Sequence, residues 1–83
     1  MFKIEFSINA EKQFYKLPKE VQTRIAGVLE RIKTRPEAYV KRLVGLPYYR
    51  LRVGEYRLIL DIQRNKLSIL IIKIGKREDI YEF

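Results

Sequence analysis

Apolar and polar residues alternate along Phe2-Lys3-Ile4-Glu5-Phe6, and this period of two predicts a strand over residues 2–7. The period then changes. Asn9 suits the N-cap of a short helix from about Ala10 to Leu17, with Phe14 and Leu17 on its inner face. Pro18 interrupts that helix and fits the first turn of a second one. In the second helix Val21, Ile25, Val28, Leu29 and Ile32 form one apolar stripe, while Lys19, Arg24, Glu30, Arg31 and Lys33 face outward. Gly27 lies inside it at a cost in helix propensity, and close packing on the first helix is the expected compensation. Thr34-Arg35-Pro36 ends the helix.

Residues 36–47 show no strong period and read as a loop closing at Gly45-Leu46-Pro47. Three strands follow, over about 48–53, 56–63 and 67–74, with Arg64-Asn65-Lys66 as the second turn. The last strand is apolar at nearly every position, as expected of a central strand. The expected order is β-α-α-β-β-β. This is an α+β fold, with two N-terminal helices on one face of a small, mainly antiparallel sheet and the other face open. Eighty-three residues suffice for one domain, 1–83.

Gly54-Glu55 forms the tip of the first hairpin. With a two-residue loop there, Val53 pairs with Tyr56 and Arg52 with Arg57. Arg50, Arg52 and Arg57 then share one face, and Leu51, Val53, Tyr56 and Leu58 the other. Like charges placed opposite each other cost stability, so this face looks arranged to receive an anion. Antiparallel pairing also brings the end of the last strand beside the start of strand 56–63. Gly75-Lys76-Arg77 should therefore leave the sheet next to Arg57, which lets Arg77 and Tyr81 reach the face carrying Arg52 and Arg57.

The charge supports this reading. The chain carries a net +8. Between positions 41 and 77 ten Lys/Arg stand against Glu55 and Asp61, a surplus of eight, whereas the other residues balance. A polyanion, nucleic acid above all, is the expected partner. The chain has no cysteine and no histidine, so no metal cofactor and no disulfide is expected. It shows no signal-peptide pattern at its start, and its apolar runs are too short to cross a bilayer. A cytoplasmic protein without a membrane partner is expected.

The string Leu43-Val44-Gly45-Leu46-Pro47-Tyr48-Tyr49-Arg50-Leu51-Arg52-Val53-Gly54-Glu55-Tyr56-Arg57-Leu58 resembles the RelE/ParE superfamily of toxin–antitoxin toxins. So do the ending Ile74-Gly75-Lys76-Arg77-Glu78-Asp79-Ile80-Tyr81 and the early Phe14-Tyr15-Lys16-Leu17-Pro18. The resemblance implies a microbial-ribonuclease-like fold. For RelE-type members it implies metal-independent cleavage of messenger RNA in the ribosomal A site, leaving a 2′,3′-cyclic phosphate. By that resemblance Tyr81 matches a general base for the 2′-hydroxyl, Arg77 a group at the leaving 5′-oxygen and Arg57 a residue neutralising the scissile phosphate. Arg50 and Arg52 stand where relatives often carry phosphate-binding lysines. Arginine keeps the charge but not the readily shifted ammonium pKa.

Arg52, Arg57, Arg77 and Tyr81 are thus the candidate catalytic set, and Lys41, Arg42, Arg50 and Lys76 the candidate RNA contacts. The implied partners are the ribosome with its message and a cognate antitoxin. A ParE-like poison of DNA gyrase without nuclease activity, or an inactive basic binding module, shares the same fold, and fold alone does not choose. Without histidine, acid–base chemistry would fall to tyrosine, whose pKa of about 10 must be lowered by nearby guanidinium groups.

Overall fold

The computed structural model describes residues 1–76. Among them the chain runs β1 (Lys3–Phe6), α1 (Ile8–Tyr15), α2 (Lys19–Ile32), β2 (Val40–Arg42), β3 (Tyr49–Val53), β4 (Tyr56–Gln63) and β5 (Ser68–Lys76). The sheet order is β1-β5-β4-β3-β2. β1 and β5 are parallel, and every other neighbouring pair is antiparallel. The class is α+β, as the patterns predict. The helices cover one face, where Ile25, Leu29 and Ile32 of α2 join Leu51, Val53, Leu58, Leu60, Ile69, Ile71 and Ile74 in the core. Full burial of each such side chain contributes about 1.5–3 kcal/mol.

Ser7 turns the chain from strand to helix. Its Oγ accepts from the Ala10 N–H at 3.0 Å and donates to the Ile72 carbonyl at 2.8 Å. The N-cap is therefore Ser7 rather than Asn9. A serine at this corner satisfies a helix donor and ties the helix to β5 at the same time. Helix α2 starts as expected after Pro18, and the Gln22 amide closes the turn between the helices by donating to the Leu17 carbonyl at 2.9 Å.

The segment 36–47 is more ordered than a loop. It contains a short 3-10 turn and the three-residue strand β2, which pairs with β3 through Val40–Leu51, Lys41–Arg50 and Arg42–Tyr49. Three residues are too few to carry a visible period, so pairing with β3 is what makes them a strand. Gly27 does not serve close helix packing. It is exposed, and a Cβ there would meet nothing within 4 Å. Leu67 belongs to the turn rather than the last strand, because it adopts the left-handed conformation with φ of 50°.

β5 lies inside the sheet between β1 and β4. Its pairing with β4 slips between Ile59 and Leu60, where Lys73 and then Ile71 are the partners and Ile72 is passed over. This bulge restores the alternation that keeps Ile69, Ile71 and Ile74 on the core side. β1 has ended at Phe6 by this point, so α1 takes over the exposed edge. Besides the Ser7 bond to Ile72, the Ile74 N–H donates to Gln13 Oε1 at 2.7 Å. Two backbone groups on the edge that β1 leaves open are thereby satisfied by side chains of α1 and its cap.

Candidate functional site

The β3–β4 hairpin turns at Gly54-Glu55. Val53 faces Tyr56, Arg52 faces Arg57 and Arg50 faces Ile59. Gly54 supplies the positive φ, 61°, that the tight turn needs. A Cβ there would meet only the tip of the exposed Arg24 side chain of α2, 2.9 Å away. On the face away from the helices, Lys41 of β2 lies beside Arg50.

Lys41, Arg50, Arg52 and Arg57, with Tyr39, line a hollow of about 120 Å3. That is room enough for a phosphate group. Four cations and, among the described residues, no carboxylate line it, which suits the hollow to an anion. The cations are not equivalent. Arg52 is exposed, and its Nε reaches the Gly54 carbonyl at 3.4 Å. Arg57 is only 7% exposed, and its strand neighbour Ile59 is 1% exposed. This face is therefore not open along its length as the sequence reading expects: it is open at Arg52 and closed over Arg57. A buried cation gains more from an arriving anion than an exposed one, because less water screens it.

Arg42 stands apart from this group. It is one residue on from Lys41 and so belongs to the other face of β2, with its guanidinium over the Tyr49 ring at 5.8 Å from the centroid. Lys76 pairs with Tyr56, next to the Arg57–Gly75 pair, and shares the Tyr56 face. The described end of β5 lies beside Arg57, through the Arg57–Gly75 pair, and Arg77 and Tyr81 lie outside the described residues. Tyr39 lines the hollow without having been expected there, since its segment reads as loop. It caps the 3-10 turn rather than extending β2, so strand alternation could not have placed it there.

A second arrangement supports the sheet end far from the hairpin tip. Glu37, in the 3-10 turn before β2, is ion-paired with Arg64 in the turn before β5. Glu37's own backbone, and next the Arg64 guanidinium, hold its carboxyl below the ordinary glutamate value of 4.5. The carboxylate, and to a smaller degree Tyr49, in turn raise the Arg64 pKa. Both side chains are largely exposed, so the pair ties the segment before β2 to the β4–β5 turn while adding little stability.

Residues 4–81 match the family model described as ParE toxin of type II toxin–antitoxin system, parDE. The chain belongs to this toxin family. Among curated proteins it is 28% identical, over 96% of its length and 90% of the relative's, to a putative RelE-like toxin protein of Escherichia coli. It is also 28% identical to the mRNA interferase toxin RelE of Escherichia coli strain K12, over 90% of this chain and 82% of that protein. Among solved structures, RelE in the intact E. coli RelBE toxin–antitoxin complex superposes with a TM-score of 0.79 at 28% identity, covering 92% of this chain and 96% of that one. The RelE–RelB complex of Pyrococcus horikoshii OT3 gives 0.80 at 25% identity, covering 94% and 97%. The protein is a RelE-like toxin of a toxin–antitoxin system.

Proposed function

We propose that residues 1–83 form a single RelE-like toxin domain that cuts messenger RNA on the ribosome, in the cytoplasm, by attack of the ribose 2′-hydroxyl and without a metal. The observation that carries this reading is the pairing of Arg52 with Arg57 across the hairpin, beside Lys41 and Arg50, in a cationic hollow. A toxin that worked only by docking on a protein would have no need to hold like charges together at a cost in stability. The similarity to a protein named an mRNA interferase supports the same reading.

In this mechanism Arg57 and Arg52 hold the scissile phosphate and the charge that builds on it in the transition state. Arg77 stabilises the leaving 5′-oxygen. Tyr81 takes the proton of the 2′-hydroxyl, its phenolate favoured by the surrounding guanidinium groups. Lys41 and Arg50 draw in the RNA backbone, with Arg42 and Lys76 at its margins. The small site leaves alignment of the message to the ribosome. A cognate antitoxin neutralises the toxin, as the solved complexes of RelE relatives with RelB suggest.

The family model carries the ParE name, which favours a second reading: a DNA gyrase poison with no nuclease activity. Addition of the protein to a translation extract separates the two. Messages cut within coding sequence support the first; intact messages together with trapped gyrase cleavage complexes would establish the second. Tyr81→Phe in the same extract tests the base. The cleavage rate should fall by about two to four orders of magnitude, and a parental rate would remove Tyr81 from the mechanism.

A further inference from the structure

Folding does not account for the tip of the β2–β3 hairpin. Strand pairing extends one step past β2, with the Leu43 N–H donating to the Tyr48 carbonyl at 3.0 Å. This leaves Val44-Gly45-Leu46-Pro47 as a short turn, with Gly45 at φ of 77°. A turn of this kind ordinarily carries Asn, Asp or Ser, whose side chains bond the turning backbone. Here Val44 is 100% exposed and Leu46 38% exposed. Val44 contributes no apolar surface to the fold, yet the paired stem and Pro47 hold the tip in place.

We propose that this tip is a second RNA contact, an apolar wedge that presses against an unstacked base of structured RNA while the hairpin stem engages the backbone. The inference rests on the RNA-directed reading above and names a further surface for it. Charge decides the kind of partner. Positions 40–53 contain Lys41, Arg42, Arg50 and Arg52 and no acidic residue, so the wedge sits on a wholly cationic stem. Apolar side chains inserted beside cations are a recurrent way of gripping nucleic acid. Structured RNA offers splayed bases in its loops and bulges that a valine can cover. Single-stranded message in the hollow would not need the tip, which stands at the other end of β3 from Gly54.

Binding of the full chain to purified small ribosomal subunits and to a poly-uridine oligonucleotide, each across a salt series, tests this. Val44→Ser should weaken subunit binding about fivefold, the loss expected when a partly buried apolar contact disappears. The salt slope and oligonucleotide binding should not change, and Val44→Leu should bind as the parent does. Lys41→Glu should instead lower the salt slope by about one for both ligands. Since Val44 is fully exposed, Val44→Ser should melt with the parent.

Parental subunit affinity in Val44→Ser would overturn the wedge, and would leave the nuclease reading intact if the parent still cuts messages. Selective loss of antitoxin binding in that variant, with subunit binding kept, would overturn it in favour of a protein contact. A parent that neither binds subunits nor cuts messages would defeat both readings together.

Discussion

Arg52 and Arg57 face each other across the β3–β4 hairpin, the first exposed and the second 7% exposed. One paired position thus presents a solvated cation and a sheltered one to the same hollow. The sheltered arginine offers a strong field and the exposed one a movable contact, a combination suited to gripping a phosphate and following its rearrangement.

This difference makes the two arginines separable by mutation. Arg52→Ala should leave stability within about 0.5 kcal/mol of the parent and lower message cleavage by about a hundredfold or more. Arg57→Ala should lower cleavage similarly but also cost about 2–4 kcal/mol, because it empties a buried volume. Arg57→Met, which fills that volume, should recover most of the stability and none of the activity. Urea denaturation beside a cleavage assay checks both, and an active Arg57→Met would refute the phosphate role.

Two glycines should respond to alanine with opposite signs. Gly27 is exposed in mid-helix with nothing within 4 Å of a Cβ. Gly27→Ala should therefore stabilise by about 0.5–1 kcal/mol. Gly54 has φ of 61°, so Gly54→Ala should destabilise by about 1–2 kcal/mol. Thermal melts of the two variants decide this; a stabilised Gly54→Ala would contradict the turn.

Ser7 joins the α1 N-cap to the β5 bulge. Loss of its hydroxyl leaves the Ala10 N–H without its cap and removes a bond to the Ile72 carbonyl. Ser7→Ala should cost about 1–2 kcal/mol, and amide exchange should quicken at Ala10 more than at α2. Unchanged exchange at Ala10 would show that the cap is dispensable.

The Glu37–Arg64 pair predicts a pH dependence. Since the Glu37 pKa is lowered by folding, its contribution is fully present above the ordinary value of 4.5 and is lost as pH falls through the lower folded value. Glu37→Gln should be less stable than the parent near neutral pH, and the gap should close in acid. The exposed position makes the effect small. Denaturant midpoints of the two proteins along a pH series measure it, and a gap that widened in acid would reverse the sign assigned here.

The sequence alone determined the helices, the class of fold and the β3–β4 pairing. Each of these is local: a stripe of Val21, Ile25, Val28, Leu29 and Ile32 repeats with the helix, and a two-residue turn fixes the partners on either side of it. The cationic face followed from the same pairing, because side chains alternate along a strand. What only the tertiary structure decided is what depends on distant neighbours. β2 exists because β3 lies beside it, and that pairing brings Tyr39 to the hollow and turns Arg42 away. Ser7 rather than Asn9 caps α1 because the Ile72 carbonyl waits on a strand sixty-five residues further along the chain. Arg57 is buried although its residue type and pairing match those of exposed Arg52. Alternation assigns a side chain to a face; only the packing of the whole chain decides how much water reaches it.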